Sequence, residues 1–371
     1  MVSMEELLNL MVQRGGSDLH LSVGSPPRIR VDGKLIDTEY EPLMPEATKK
    51  LVYSVLGADQ VAKFEKNLEL DFSFGVANLG RFRTNAFVQR STVAAVLRVI
   101  PFEVHDFDAI GLPVSVCEQI CSLPRGLVLC TGSTGSGKST TLASMVNYIN
   151  EQRQGHIVTI EDPIEFLHRN KGCLINQREV GGDTHGFGKA LKSVLRQDPD
   201  VVLVGEMRDL ETIEAALTLA ETGHLTFATL HTSDVTQTVN RIVDVFPAHQ
   251  QQQIRTMLSF TLQAIICQQL VPKQHGKGRA LAAEVMIANP AIRALVRDNK
   301  SHQIMSILQT SAQLGMKTMN QSLFELYRAG TVSFEDAIAH TSDESDFQRL
   351  MERAGISNAG SSLVGSGRHS L

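Results

Sequence analysis

One stretch of the sequence is built for phosphate chemistry. Gly132-Ser-Thr-Gly135-Ser-Gly137-Lys138-Ser139 matches the pattern G-x-x-x-x-G-K-[ST]. Glycines in such a loop let backbone N–H groups close around nucleotide phosphates, and the N-terminus of the following helix adds positive potential. The pattern assigns Lys138 to the β and γ phosphates and the Ser139 hydroxyl to Mg²⁺. The candidate nucleotide-binding set is therefore Gly132, Ser133, Thr134, Gly135, Ser136, Gly137, Lys138, Ser139 and Thr140. The loop also sits where its mechanism requires. A short apolar run, 127–130, precedes it. After it Leu142, Met145, Val146 and Ile149 fall at i, i+3, i+4, i+7, one face of a helix.

Binding a nucleotide is not hydrolysing it. Hydrolysis also needs a carboxylate that orients water and an acid near the metal. Two acidic clusters follow apolar runs: Glu161-Asp162-Pro163-Ile164-Glu165, and Glu206 after Val201–Val204 and Gly205. Strand C-termini in open α/β sheets face the ligand crevice, so both are well placed. Gly205 stands where an Asp is often found in the acidic strand motif that accompanies such loops. The competing readings are an acidic turn and a surface acid. His224 and His231 bracket Leu225–Leu230. They read as rim imidazoles of an ordinary strand or as γ-phosphate sensors beside Glu206; a metal pair lacks a third ligand at suitable spacing. Arg81 and Arg83 share one face of a strand, and Arg98 lies on another. Exposed strand arginines are usually solvated, yet P-loop enzymes that form rings often take a transition-state arginine in trans. Arg196 and Arg241 are similar candidates farther along.

These residues need a scaffold, and the 371-residue chain has room for two or three domains. Apolar residues are 42 % and charged residues 20 %, which excludes disorder, collagen and coiled coil as the main architecture. Aromatics are 5 % with no Trp, so the core is aliphatic. Thirty-five basic against 40 acidic residues give a net charge of -5, which argues against a generic polyanion binder. No run reaches the roughly 18–20 apolar residues of a membrane span. The opening Met-Val-Ser-Met-Glu-Glu lacks the features of a signal peptide. Five scattered Cys read as reduced thiols of a cytosolic protein.

The first hundred residues read as mixed α/β. Strand-like runs lie around 19–23, 29–31, 34–36, 71–76, 81–89 and 93–100, with a turn at Asp32-Gly33 and a helical pattern over 45–66. A stretch with Pro101, Gly111 and Pro113 reads as a linker. Then strand and helix alternate, with continuous apolar runs at 157–160 and Val201–Val204 that fit strands buried on both faces of a parallel sheet. Ile254, Met257, Leu258, Thr261, Leu262 and Ile265 read as one long helical stripe. Beyond 290 the pattern is helical, with Ser333 and Asp336 as a capping box. The expected division is a domain at 1–105, a linker at 106–113, an α/β domain at 114–350 and a flexible Gly/Ser-rich tail at 351–371.

Together these motifs resemble the PilT family, the retraction ATPases of type IV pili, within the larger secretion and traffic ATPases. The resemblance covers about 1–350. It is carried by Gly16-Ser-Asp-Leu-His-Leu21, Gly80-Arg-Phe-Arg-Thr-Asn-Ala-Phe87, the Walker A loop, the Asp box Ile160-Glu-Asp-Pro-Ile-Glu165, the Walker B segment Val204-Gly-Glu-Met-Arg-Asp-Leu-Glu-Thr212 and the His box ending in Thr229-Leu-His-Thr232. Gly before the Walker B acid is itself a family feature. The resemblance implies a RecA-like P-loop ATPase domain preceded by a smaller PAS-like α/β domain. It assigns Glu165 as catalytic glutamate, Glu206 as Walker B acid, His224 and His231 as the His box, and Arg83 and Arg98 as arginines reaching the phosphate across a subunit boundary. It further implies ATP and Mg²⁺, with Ser139 and Glu206 at the metal, and a homohexamer at the cytoplasmic face of the inner membrane. The implied partners are a pilus platform protein and a retraction ATPase paralogue. Extension-type relatives carry a four-cysteine zinc module; no CxxC pair occurs here, so no zinc is expected. Pro290–Arg297 approximates an element of PilT proper, whereas Gln269-Leu-Val-Pro272, Gly276-Lys-Gly-Arg279 and Phe334-Glu-Asp-Ala-Ile-Ala339 look more like PilU. The alternatives are a PilU-like accessory ring component, a nucleic-acid motor, which the acidity disfavours, and a conjugation-type secretion ATPase, which the His box and short N-domain disfavour.

Overall fold

A computed structural model of the chain describes residues 2–356 except 32, 78, 101, 102 and 277. It forms two compact units: Met1–Val104 with Pro163–Arg169 and Arg178–His185, and His105–Asp162 with Asn170–Gln177 and Gly186–Leu371.

In the first unit α1 (Met4–Gln13) opens on a capping box in which Ser3 and Glu6 satisfy each other's backbone N–H groups. A six-stranded sheet follows the order β3-β2-β1-β6-β5-β4. Its strands are β1 (Asp18–Leu21), β2 (Arg28–Val31), β3 (Lys34–Asp37), β4 (Glu69–Val76), β5 (Gly80–Gln89) and β6 (Thr92–Ile100), all antiparallel to their neighbours. The helical pattern over 45–66 is broken at Gly57 into α2 (Pro45–Tyr53) and α3 (Ala58–Asn67). Strand alternation puts Phe82, Thr84 and Ala86 of β5 inside and turns Arg81, Arg83 and Asn85 to the other face. Leu7, Leu8, Met11, Leu19, Ile29, Phe82 and Leu97 share one core. The hairpin between β2 and β3 pairs Val31 with Lys34; Asp32, expected in its turn, lies outside the described residues, as does Pro101 of the expected linker.

The second unit is built on a seven-stranded sheet, β13-β12-β7-β11-β10-β8-β9. Its strands are β7 (Gly126–Thr131), β8 (His156–Glu161), β9 (Leu174–Glu179), β10 (Val201–Val204), β11 (Leu225–Leu230), β12 (Leu262–Pro272) and β13 (Arg279–Ile287). From β12 to β8 the pairings are parallel, and β13 closes that edge antiparallel. Every residue of β7, β10 and β11 is buried, the mark of strands covered on both faces. On one face Val128 and Cys130 meet Leu142, Met145, Val146 and Ile149 of α5 (Lys138–Gln152) and the cysteines of α4 (Val114–Cys121). Against the sheet also pack α7 (Leu210–Glu221) and α9 (Ala248–Thr261), with α6 (Phe187–Val194) beside α7 and α8 (Val235–Asp244) beside α9. All five cysteines are buried free thiols, and burial pushes Cys117 up to about 12.

The expected long helical stripe is two elements, a helix and a strand. The helix ends at Thr261, and Leu262 and Ile265 lie on β12, beside β7. A fully buried strand reads as a continuous apolar run, which periodicity cannot separate from the helix before it. After β13 come α10 (Pro290–Arg297), α11 (Ile304–Thr310), α12 (Met319–Arg328), α13 (Phe334–His340) and α14 (Glu344–Arg353). Ser333 caps α13 by accepting from the Asp336 N–H. The expected tail cannot begin at 351, because Met351 is buried with Leu323 and Phe347; residues 357–371 lie outside the described set.

Glu284 on β13 is a buried carboxylate. It accepts from the N–H of Val235 (2.9 Å) and of Met319 (3.4 Å), the first residues of α8 and α12. Burial pushes it up to about 7, against the lowering effect of those two N–H groups; Asp234 raises it further. A carboxyl whose pKa rises on folding holds its proton more tightly in the folded chain. Its contribution to stability therefore falls as pH rises from the unfolded value toward 7, by about 3 kcal/mol in total. Glu284→Gln should remove that slope. The difference in Tm between variant and parent should shift in the variant's favour from pH 5 to pH 7 and level off above it; a difference independent of pH would refute the assignment.

Candidate nucleotide-binding site

The phosphate loop joins β7 to α5, and its glycines are where the backbone demands them. Gly132 has φ 142°. A methyl group there would lie 2.4 Å from the Gln268 carbonyl and 2.6 Å from Ser136 Oγ. Gly137 (φ 93°) forms the N-cap of α5 and brings no capping side chain. The first N–H groups of this 15-residue helix therefore have no side-chain acceptor at the cap, which is how a helix N-terminus presents donors to an anion. Lys138 Nζ donates to the carbonyls of Gly132 (2.8 Å) and Ser133 (3.0 Å), which arches the loop over its ammonium group. The Ser136 hydroxyl is buried without a hydrogen-bond partner. Ser133, Thr134 and Gly135 are exposed at the crest, and Ser139 and Thr140 are half-buried on the first turn of α5. Uncapped donors, a lysine and an orphaned hydroxyl suit nucleotide phosphates.

Glu206 follows β10 on the same edge of the sheet. Its Oε2 is 2.7 Å from Arg208 Nη2 and its Oε1 is 3.2 Å from His231 Nε2. Partial burial would raise its pKa; Arg208, and then His231, outweigh that and hold it below the usual carboxylate value. It is thus ionised at neutral pH. Its carboxylate and the Ser139 hydroxyl are oxygen donors of the kind that could hold Mg²⁺. Glu161, at the end of β8, accepts from the Thr159 hydroxyl at 2.6 Å, and Asp162 is exposed beside it.

The two histidines separate. His231 lies at the C-terminal end of β11, next to Glu206. His224 lies at the other end, and the six residues between them span about 20 Å. His224 Nδ1 faces the Leu219 carbonyl (3.0 Å) and the Thr222 hydroxyl (3.1 Å). In this chain it fixes the turn from α7 to β11 and does not reach the phosphate-loop edge.

In the first unit Arg83 and Arg98 stand directly opposite each other on β5 and β6. Arg98 is 67 % exposed, and its Nε is 2.8 Å from Oδ1 of the buried Asp18 on β1. Burial would raise the Asp18 carboxyl, but the Ser17 hydroxyl and Arg98 outweigh it and hold it low. Arg81 instead faces Glu179 of β9. Glu165 is exposed on the Pro163–Arg169 segment, which packs with this unit.

Sequence reasoning missed Gln268. It is buried in β12, donates from Nε2 to the Ser136 carbonyl (3.1 Å) and takes the Cys130 thiol on Oε1. It is the floor on which Gly132, Ser136 and Gly137 rest. Its signal was a Gln-Gln pair interrupting an apolar run. Arg208 was missed as the partner of Glu206, although it stands two residues away.

A phosphate loop at the C-terminal edge of a central parallel strand, with an ionised acid at the end of a nearby one, defines a RecA-like P-loop ATPase. The chain belongs to the Type II/IV secretion system protein family, which matches residues 4–339. It is 51 % identical to the type IV pilus retractation ATPase PilT of Pseudomonas aeruginosa, covering 90 % of this chain and 96 % of that one. It is 42 % identical to the type IV pilus ATPase PilU of the same organism, covering 96 % and 93 %. Among solved structures, the pilus retraction motor PilT with bound ADP superposes with a TM-score of 0.87 at 50 % identity, covering 94 % of this chain and all of that one.

Gln268→Leu removes the donor from the Ser136 carbonyl and leaves that carbonyl buried and unmet. Nucleotide titration should show ATP bound about tenfold more weakly with the fold intact. Parental affinity would mean that the glycines alone hold the loop.

Proposed function

We propose that this chain is the ATP-driven retraction motor of a type IV pilus. It would work as a homohexameric ring at the cytoplasmic face of the inner membrane. The observation that carries the reading is the Arg83–Arg98 pair. Like charges directly opposite on a sheet cost stability, and Asp18 is bonded to only one of them. An exposed pair of this kind fits an anion brought by another subunit, as the in-trans arginines of ring ATPases do. The greater identity to PilT than to PilU supports an autonomous motor over an accessory ring component.

In the proposed cycle the N-terminus of α5 and Lys138 bind the ATP phosphates. Ser139 and Glu206 would hold Mg²⁺, directly or through water, and the bound ion would supply neutralisation of charge on the β and γ phosphates. Glu165 orients the attacking water and takes its proton. Arg83 and Arg98 of the adjacent subunit stabilise the γ-phosphate charge, which ties each hydrolysis to a movement between subunits. His231 links the state of Glu206 to the turn that starts α8. Positioning and electrostatics, not covalent chemistry, supply the rate. Among the described residues no helix is long and apolar enough to cross a membrane. The ring is therefore proposed to dock on a membrane platform protein, whose turning depolymerises pilin, with a paralogous ATPase as a second partner.

Glu165→Gln should abolish turnover and leave ATP binding near the parental level. In a strain lacking the retraction ATPase, the parent chain should restore retraction and this variant should not. Retraction by Glu165→Gln would overturn the catalytic assignment. Mixing Arg98→Ala with Glu165→Gln subunits should recover part of the ATPase activity that each lacks alone, because the second variant still donates its Arg98 to the first. An inactive mixture would argue against a trans arginine.

A further inference from the structure

The geometry points to Glu179 as the positioning residue of the Glu165 segment, through a bond to the backbone immediately before the catalytic carboxylate. This inference rests on the reading of Glu165 given above.

Glu179 ends β9 and is 7 % exposed. A buried carboxylate is costly unless it is paired and hydrogen-bonded, and an apolar residue of similar size would often serve stability as well. Its Oε2 accepts from the Ile164 N–H at 3.1 Å and lies 3.6 Å from Nη2 of Arg81. Its own backbone is pinned in turn. The Glu179 N–H donates to Asp183 Oδ2 (2.8 Å), and its carbonyl accepts from the N–H of Asp183 (2.8 Å) and of Thr184 (3.3 Å). Ile164 is held a second time by its side chain, which is buried. The backbone entering Glu165 is therefore fixed at two points, while the Glu165 side chain stays exposed.

This arrangement matches what water activation requires. A carboxylate that orients water must sit within a few tenths of an ångström of its working place, and a loop gives that accuracy only when its backbone is tied. The Pro163 ring leaves the segment one donor short. The first N–H available to tie it after Asp162 is that of Ile164, the one Glu179 takes. Arg81 balances the charge of the tie. It shares a strand face with Arg83, so the tie reaches the strand that carries a proposed phosphate-facing arginine.

The test compares Glu179→Ala, Glu179→Gln and Arg81→Ala in the full chain. Glu179→Ala should lower kcat about ten- to a hundredfold, with KM for ATP and nucleotide affinity unchanged. Glu179→Gln keeps an oxygen for the Ile164 N–H and loses only the charge. It should recover most of the rate, and Arg81→Ala should fall between the two. A residue that merely supports the fold would instead lower Tm and shift KM and kcat together, with no recovery in the glutamine variant. Parental kcat in Glu179→Ala, alongside an inactive Glu165→Gln, would overturn this inference alone. An active Glu165→Gln would overturn the reading beneath it.

Discussion

A helix whose first turn has no side-chain cap must find acceptors elsewhere for its N–H groups. In α5 that demand organises the site. Gly137 offers no acceptor, and the phosphate loop arches over Lys138 so that backbone donors, ammonium group and helix dipole converge. The rest of the second unit keeps this arrangement still. Strand β7 is buried on both faces, so the loop leaves a rigid point. Gln268 of β12 lies beneath it, which makes the neighbouring strand part of the phosphate cradle.

Each unit holds a carboxyl below its usual range beside a paired cation. Glu206 has Arg208 and His231, and Asp18 has Arg98; Arg81 also lies 3.6 Å from the buried Glu179. Each pair is partly buried, so screening by salt is weaker than on the open surface. Glu284 differs: it accepts from two helix N-termini, and burial pushes its carboxyl up to about 7.

The chemistry was legible in the sequence wherever it depends on short contiguous patterns. The phosphate loop and Glu206 stood out because strand, loop and acid follow one another along the chain. The continuous apolar runs at 157–160 and Val201–Val204 announced a parallel sheet. What was not legible depends on pairing between distant segments. Gln268 meets Ser136 only because β12 lies beside β7, an adjacency no periodicity encodes. The same strand was hidden inside an apparent helix, since buried strands lack alternation. His224 and His231 looked equivalent by spacing; only the direction of β11 separates them by its full length. Arg83 and Arg98 acquire meaning from the register of β5 and β6, which pairs residues fifteen apart in the chain.

The first unit is not contiguous in the chain. It is completed by Pro163–Arg169 and Arg178–His185, which follow roughly 80 residues after Val104 at the farthest. On the ribosome, residues up to 104 emerge with part of their packing partners still unsynthesised, and at ordinary elongation rates the wait lasts several seconds or more. During that interval Arg81 has no Glu179 to meet. The unit cannot be inherited as a cassette cut at 104, because its last pieces are written inside its neighbour's sequence. Recombination that exchanges the first hundred residues between relatives must keep two distant segments compatible as well, so the two units are expected to drift together.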